Sequence, residues 1–294
     1  MSKGLKATAF AILAAALYAI NVPLSKLLMQ HAEPTMMAAF LYLGAGIGLF
    51  IFGKVQKTAG RGGKAEPLSK ADLPYTVGMV VLDIIAPILL MLGIARTSSA
   101  NVSLLNNFEI VATSLIALLV FKEAISKRTW LAIVLVAAAS VILSFEGEGS
   151  FDFNVGSLLV LGAATCWGFE NNCTKMISGK SSVEIVTVKG CFSGLGSLIV
   201  AFTVGESLPA LKYIALILLL GFVAYGLSIN FYIMAQKDLG AAKTSAYYSV
   251  APFLGVGFSM VLLREVPGAQ FYVALVIMAL STVIMVKDTL STEK

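Results

Sequence analysis

Three carboxylates, Asp83, Glu109 and Glu170, stand inside long apolar runs of the sequence. An ionised side chain at the middle of a bilayer costs roughly 2.5–3.5 kcal/mol. An acid kept there either faces a polar cavity, where it binds an ammonium group or carries a proton, or it is paired within the protein, with Lys26 and Lys189 as the available bases. Residues three, four and seven apart share a helix face. On that spacing Tyr18, Asn21 and Ser25 form one polar stripe, and Trp167, Glu170, Asn171 and Thr174 form another. Ser103, Asn106, Asn107 and Thr113 surround Glu109, while Met79 and Pro87 flank Asp83. Tyr225, Ser228 and Tyr232 make a further stripe, and Ser245, Tyr248 and Pro252 the last. Aromatic rings offer π faces to an apolar body or an ammonium group. Asn and Ser satisfy a carboxylate without adding a fixed charge. The chemistry expected is recognition of a small molecule in an aromatic-walled, partly aqueous chamber, with Glu109 and Asp83 as candidate proton carriers. For any single aromatic, ordinary packing or an interfacial belt is the competing reading.

Covalent and metal chemistry find little support. His31 is the single histidine, so no HExxH site can form, and no Cys/His metal spacing occurs. Cys166 and Cys173 are seven apart on one expected helix, about 10 Å in rise and beyond disulfide reach. Gly179-Lys180-Ser181 lacks the glycine that a phosphate loop needs five residues earlier, where Thr174 stands. No catalytic residue, metal or cofactor is expected.

The elements that must position these residues are set by composition. Of 294 residues, 58% are hydrophobic and 13% charged, against about 45–50% and 25% in soluble domains. Mean hydropathy is +0.90. Ten apolar runs can be drawn, at about 5–29, 34–53, 73–95, 99–121, 129–145, 155–177, 183–204, 211–235, 240–263 and 269–286. Runs near twenty residues cross a hydrocarbon core of about 30 Å as helices. They are continuously apolar rather than alternating, which favours helices over barrel strands. With the amino terminus inside, sixteen of the 21 Lys and Arg residues fall at inner ends, as the positive-inside rule requires. The net charge of +5 is then orientation rather than a nucleic-acid patch. Both termini are expected in the cytoplasm, and the lipid bilayer is the first partner.

Five spans lie on each side of the acidic 146–152 link. An odd number per half inverts the second half, so the halves form an inverted repeat. Ala15-Ala16-Leu17-Tyr18-Ala19-Ile20-Asn21 leading to Ser25-Lys26 matches Ala164-Thr165-Cys166-Trp167-Gly168-Phe169-Glu170 leading to Thr174-Lys175. Phe121-Lys122-Glu123 matches Leu263-Arg264-Glu265. Such repeats are a transporter signature, because two related bundles rocking about a midplane site give alternating access. The halves are expected at 1–147 and 148–294, packed as one membrane domain.

Those motifs carry a resemblance. Ala95-Arg96-Thr97-Ser98-Ser99-Ala100-Asn101 running to Phe108-Glu109 and Phe121-Lys122-Glu123, then Ala235–Ala242, Ala251-Pro252 and Arg264-Glu265, resemble the two EamA units of the drug/metabolite transporter superfamily. Within it the chain is most similar to YddG-type amino-acid exporters. The resemblance implies an all-α fold of ten transmembrane helices as two inverted five-helix repeats. It also implies a central cavity lined by the first, third, fourth, sixth, eighth and ninth helices, and export of amino acids and related metabolites across the cytoplasmic membrane. The alternatives are a cationic-drug effluxer of the same superfamily and a channel-like pore, although no charged or carbonyl filter motif occurs. A monomer is the default. Three departures bear on substrate and coupling: 40–48 has no arginine where the family often places one, Ile110 stands where proline is common, and Ala251 replaces an acid before Pro252.

Overall fold

The structure is a computed structural model that describes residues 3–59, 66–121, 126–144, 154–239, 244 and 247–292. All regular structure among them is helical. The first span is α1 (Lys3–Ala19) and α2 (Asn21–Leu28), and the second is α3 (Pro34–Thr58). A short turn at Lys70–Asp72 leads into the third, α4 (Leu73–Ile94). The fourth is α5 (Ser99–Leu105) with α6 (Phe108–Phe121), and the fifth is α7 (Lys127–Ser144). The second half holds α8 (Val155–Ile177) and α9 (Ser182–Thr203). Its third member joins α10 (Leu211–Gly221) through a π-helical turn, Phe222–Leu227, to α11 (Ser228–Leu239). The last two spans contain α12 (Ala251–Leu263) and α13 (Ala269–Thr292). Six helical stretches are long and apolar enough to cross a membrane by length and composition, and 251–263 and 269–284 are shorter apolar ones.

The breaks have local causes. Proline has no N–H for the carbonyl four residues back. Pro23 therefore frees the carbonyl of Ala19, where α1 stops, and Pro252 frees that of Tyr248, just before α12 begins. The fourth span breaks without proline. Asn107 N–H bonds to Leu104 O, Glu109 N–H to Asn106 O and Ile110 N–H to Asn107 O, each at 3.1 Å, so one turn is wound as a 3₁₀ helix.

Packing shows why glycine marks the second and seventh spans. A Cβ added at Gly46 would lie 2.4 Å from the backbone nitrogen of Cys191, and one at Gly190 2.3 Å from that of Gly46. On the other flank of α3, a Cβ at Gly44 would lie 2.1 Å from Leu218 O, and one at Gly221 1.9 Å from Leu41 O. The helices touch backbone to backbone, as small-residue interfaces allow.

The helix pairs obey a two-fold pattern. Contacts of α4 with α8 are mirrored by α1 with α11, and those of α6 with α8 by α1 with α12. The pairs α3–α9, α7–α13 and α5–α12 map onto themselves. Buried Met36, Leu41, Leu90, Met91, Leu104 and Leu105 fill the centre, while Ile51, Leu119, Leu211 and Val276 point outward. A protein with apolar side chains outside and carboxylates inside is built for lipid, and this is an integral membrane protein.

Acidic side chains tie the ends. Glu206 accepts the N–H groups of Thr35 (3.0 Å) and Met36 (2.6 Å) at the start of α3, and Glu33 accepts Ser207 N–H at 2.6 Å. At the face carrying the termini, Glu184 accepts Leu68 N–H at 3.1 Å and Ser181 N–H bonds to Glu66 O at 2.9 Å. Each carboxylate at a helix start also complements the positive end of the helix dipole.

Candidate functional site

The in-span carboxylates separate into two environments. Lys189 on α9 places its ammonium 3.0 Å from an Asp83 oxygen and 3.0 Å from a Glu170 oxygen. Asp83 is fully buried and Glu170 nearly so. The second oxygen of Asp83 accepts the hydroxyl of Tyr42 (2.9 Å) and the indole N–H of Trp167 (3.2 Å), and Thr174 donates to Glu170. The group knits α3, α4, α8 and α9 together. It sets two carboxyl groups against one ammonium.

Glu109 stands apart. It opens α6, where the helix dipole favours a negative charge. Its carboxylate accepts the amide of Asn171 at 2.6 Å, and that amide also reaches the hydroxyl of Thr113 at 3.5 Å. Both Glu109 and Asn171 are half-buried, unlike the closed Asp83 and Glu170.

A chain of tyrosines runs beside this carboxylate. Tyr18 meets Tyr225 edge-on at 5.8 Å between ring centres and Tyr248 at 6.0 Å; Tyr232 meets Tyr248 at 5.0 Å, and Tyr42 meets Tyr225 at 5.2 Å. Tyr18, Tyr225 and Tyr248 all lie within electrostatic reach of Glu109. Asn21 donates to the Tyr225 hydroxyl at 3.0 Å and receives Ser25 at 3.1 Å. Tyr248 bonds to Ser228, whose hydroxyl is anchored on Ala14 O at 2.8 Å. The π turn carries Tyr225, and Gly226 within it lets α3 approach, since a Cβ there would lie 2.5 Å from the Leu49 side chain.

Most of the residues expected from the sequence are thus brought to one region: Tyr18, Asn21, Asp83, Glu109, Trp167, Glu170, Asn171, Tyr225, Ser228, Tyr232 and Tyr248. Met79 is not; it is fully buried against Ile177 and Ile185. Ser103, Asn106 and Asn107 are buried at the fourth-span break, and Asn107 reaches the sulfur of Met278 at 3.8 Å. Ser245 lies outside the described residues. Tyr42 and Lys189 belong to the region although α3 and α9, the second and seventh spans, are not among the cavity-lining helices that the resemblance implies. Lys189 was visible as an in-span charge, whereas no spacing marked Tyr42.

At the face opposite the termini several helix ends are tied together. Lys26 donates to the carbonyls of Ile94 and Thr97, and Ser99 and Ser259 hydroxyls meet at 2.9 Å. Glu265 accepts Ser99 N–H at 2.9 Å and Ala100 N–H at 2.8 Å, capping α5. Two apolar grooves, of about 420 and 350 Å³, flank α3 on its outer side and share Ile47; they lie away from the carboxylates. No group of three or more His, Cys, Asp or Glu suited to a metal occurs among the described residues.

Comparison with known proteins gives a consistent picture. A model of the EamA-like transporter family matches residues 5–145 and again 154–287. An uncharacterized transporter of Methanothermobacter thermautotrophicus is 27% identical over 269 residues, covering 86% of this chain and 78% of that protein. A protein of known crystal structure has the same fold, with a TM-score of 0.69 at 13% identity over 95% of this chain and 94% of its own.

Proposed function

The chain belongs to the EamA-like transporter family, and on that premise we propose that it is a secondary carrier exporting amino acids with apolar or aromatic side chains. The observation that carries the reading is the half-buried Glu109–Asn171 pair within electrostatic reach of Tyr18 and Tyr248, the latter packed on Tyr232. A carboxylate reachable from an aromatic-walled space can hold a substrate ammonium while the rings take its apolar body. The two halves, 1–147 and 148–294, rock against each other to expose this site in turn. Both termini lie in the cytoplasm, the membrane is the cytoplasmic one, and the monomer is the working unit.

Coupling, where present, runs through Glu109 rather than Asp83. Asp83 is already paired with the Lys189 ammonium, so protonating it would give up that ion pair. Glu109 has a neutral partner and a partly open face. Proteoliposomes loaded with labelled phenylalanine test the proposal. Saturable efflux that falls at least tenfold in Tyr18→Ala and Glu109→Gln supports it, and a pH jump separates coupled from uncoupled exchange. Absence of saturable flux for any amino acid, or unchanged flux in both variants, refutes it.

A further inference from the structure

The charge inventory of the interior narrows what the site reads. Among the described residues the interior acids are Asp83, Glu109 and Glu170, and the base placed among them is Lys189, shared between Asp83 and Glu170. Lys26 is occupied at the far rim by the carbonyls of Ile94 and Thr97. Lys175 is exposed one turn beyond Asn171, toward the face of the termini, where water screens it. Among the described residues, a substrate carboxylate entering beside Glu109 would find neutral hydroxyls and amides but no interior base without a partner.

The break in the fourth span adds a second observation. The bond from Glu109 N–H to Asn106 O is a 3₁₀ step, and in that geometry side chains three apart eclipse each other. Asn106 is therefore stacked on the same face as Glu109. Its amide oxygen is buried, with the residue 7% exposed, and has no hydrogen-bond partner. A buried acceptor without a donor is costly, and this one belongs to the residue one 3₁₀ turn before a carboxylate whose protein partner is a single amide. Both atoms are acceptors, and both are satisfied by the same external group: an ammonium with several N–H bonds to give.

Resting on the transport reading above, we propose that the site recognises its substrate through an ammonium group alone, held by Glu109 and Asn106 with the tyrosines taking the apolar body. A free carboxylate on the ligand meets only neutral donors and adds little to binding. Aromatic amines and amino-acid esters are therefore bound as well as the corresponding zwitterions, and the desamino acid is not bound.

Equilibrium binding to the purified full-length protein in detergent tests this, at one pH throughout, with phenylalanine, its methyl ester, phenethylamine and 3-phenylpropionate as probes. The amine and the ester should bind within about threefold of phenylalanine or tighter, and 3-phenylpropionate at least thirtyfold more weakly. Removing a charged hydrogen-bond partner costs about tenfold to a hundredfold, so Glu109→Gln should weaken phenethylamine by that factor. Asn106→Ala should weaken it less, and both variants should elute as folded monodisperse protein. Phenylalanine bound at least tenfold more tightly than its ester and phenethylamine would overturn the proposal while leaving amino-acid export intact. Amines that bind to a protein carrying no amino acid would do the reverse, and failure of both amine and ester to bind refutes the proposal outright.

Discussion

Replacing Lys189 by methionine should destabilise the bundle more than loss of any one packing contact. Methionine keeps most of the side-chain volume, so the packing change is small. What changes is charge: Asp83 and Glu170 lose the ammonium that sits 3.0 Å from each, and both are enclosed by protein. Removing one partner of a buried ion pair costs about 3–5 kcal/mol, because the remaining charge is left desolvated. At about 2–4 °C per kcal/mol in a chain of this size, the midpoint of thermal unfolding should fall on the order of 10 °C. The same physics predicts a rescue. In the triple variant Asp83→Asn, Glu170→Gln, Lys189→Met the uncompensated charges are gone, and the carboxamide at 83 still accepts from Tyr42 and Trp167. Buried ion pairs replaced by neutral groups are commonly neutral in stability, so most of the loss should return. Unfolding in detergent, followed by far-ultraviolet circular dichroism, measures both. A single variant costing under about 1 kcal/mol, or a triple variant no more stable than the single, would show that the charges are solvated and the account of this network wrong.

Gly221→Ala should cost about 2–3 kcal/mol or prevent folding, because its Cβ would lie 1.9 Å from a backbone oxygen; Gly257→Ala, which meets nothing within 4 Å, should be neutral or stabilising by up to about 1 kcal/mol, and chemical unfolding compares the two. Glu265→Ala should lose about 1–2 kcal/mol and speed amide exchange at Ser99 and Ala100, with exchange at Thr35 and Met36 unchanged since Glu206 serves those. Ile110→Pro should cost well under the roughly 3 kcal/mol of a mid-helix proline, since Ile110 N–H already makes only a 3₁₀ bond to Asn107; Ile116→Pro in α6 should carry the full penalty, read by midpoint shift.

Much of the architecture was legible in the residues because lipid is an unforgiving solvent. Every backbone group inside it must be paired within the segment, so apolar runs of the right length are helices. The kinks at Ala19 and before Ala251 follow from Pro23 and Pro252 for an equally local reason, a missing N–H. The glycines at 44, 46 and 190 are where helices meet backbone to backbone, and the structure supplies their neighbours. The fourth-span break was less visible. Ile110 gave no proline signal, and the 3₁₀ turn at Asn106–Ile110 emerges from the packing of α5 on α12 and α6 on α8.

The sequence alone determined that the chain lives in a membrane, that its family is EamA-like, and that the acids inside its spans deserve scrutiny, since these depend on composition, periodicity and the order of short motifs. It could not decide what each acid faces. Asp83, Glu109 and Glu170 look alike on paper, and Lys189 was one of two bases that could neutralise any of them. Only the packing of α4 against both α8 and α9 gives Lys189 to Asp83 and Glu170, and only the turn before α6 sets Glu109 beside an amide and the tyrosines. Charge interactions depend on distances between residues far apart in the chain, 106 positions for Asp83 and Lys189, and helix packing, not local spacing, sets those distances.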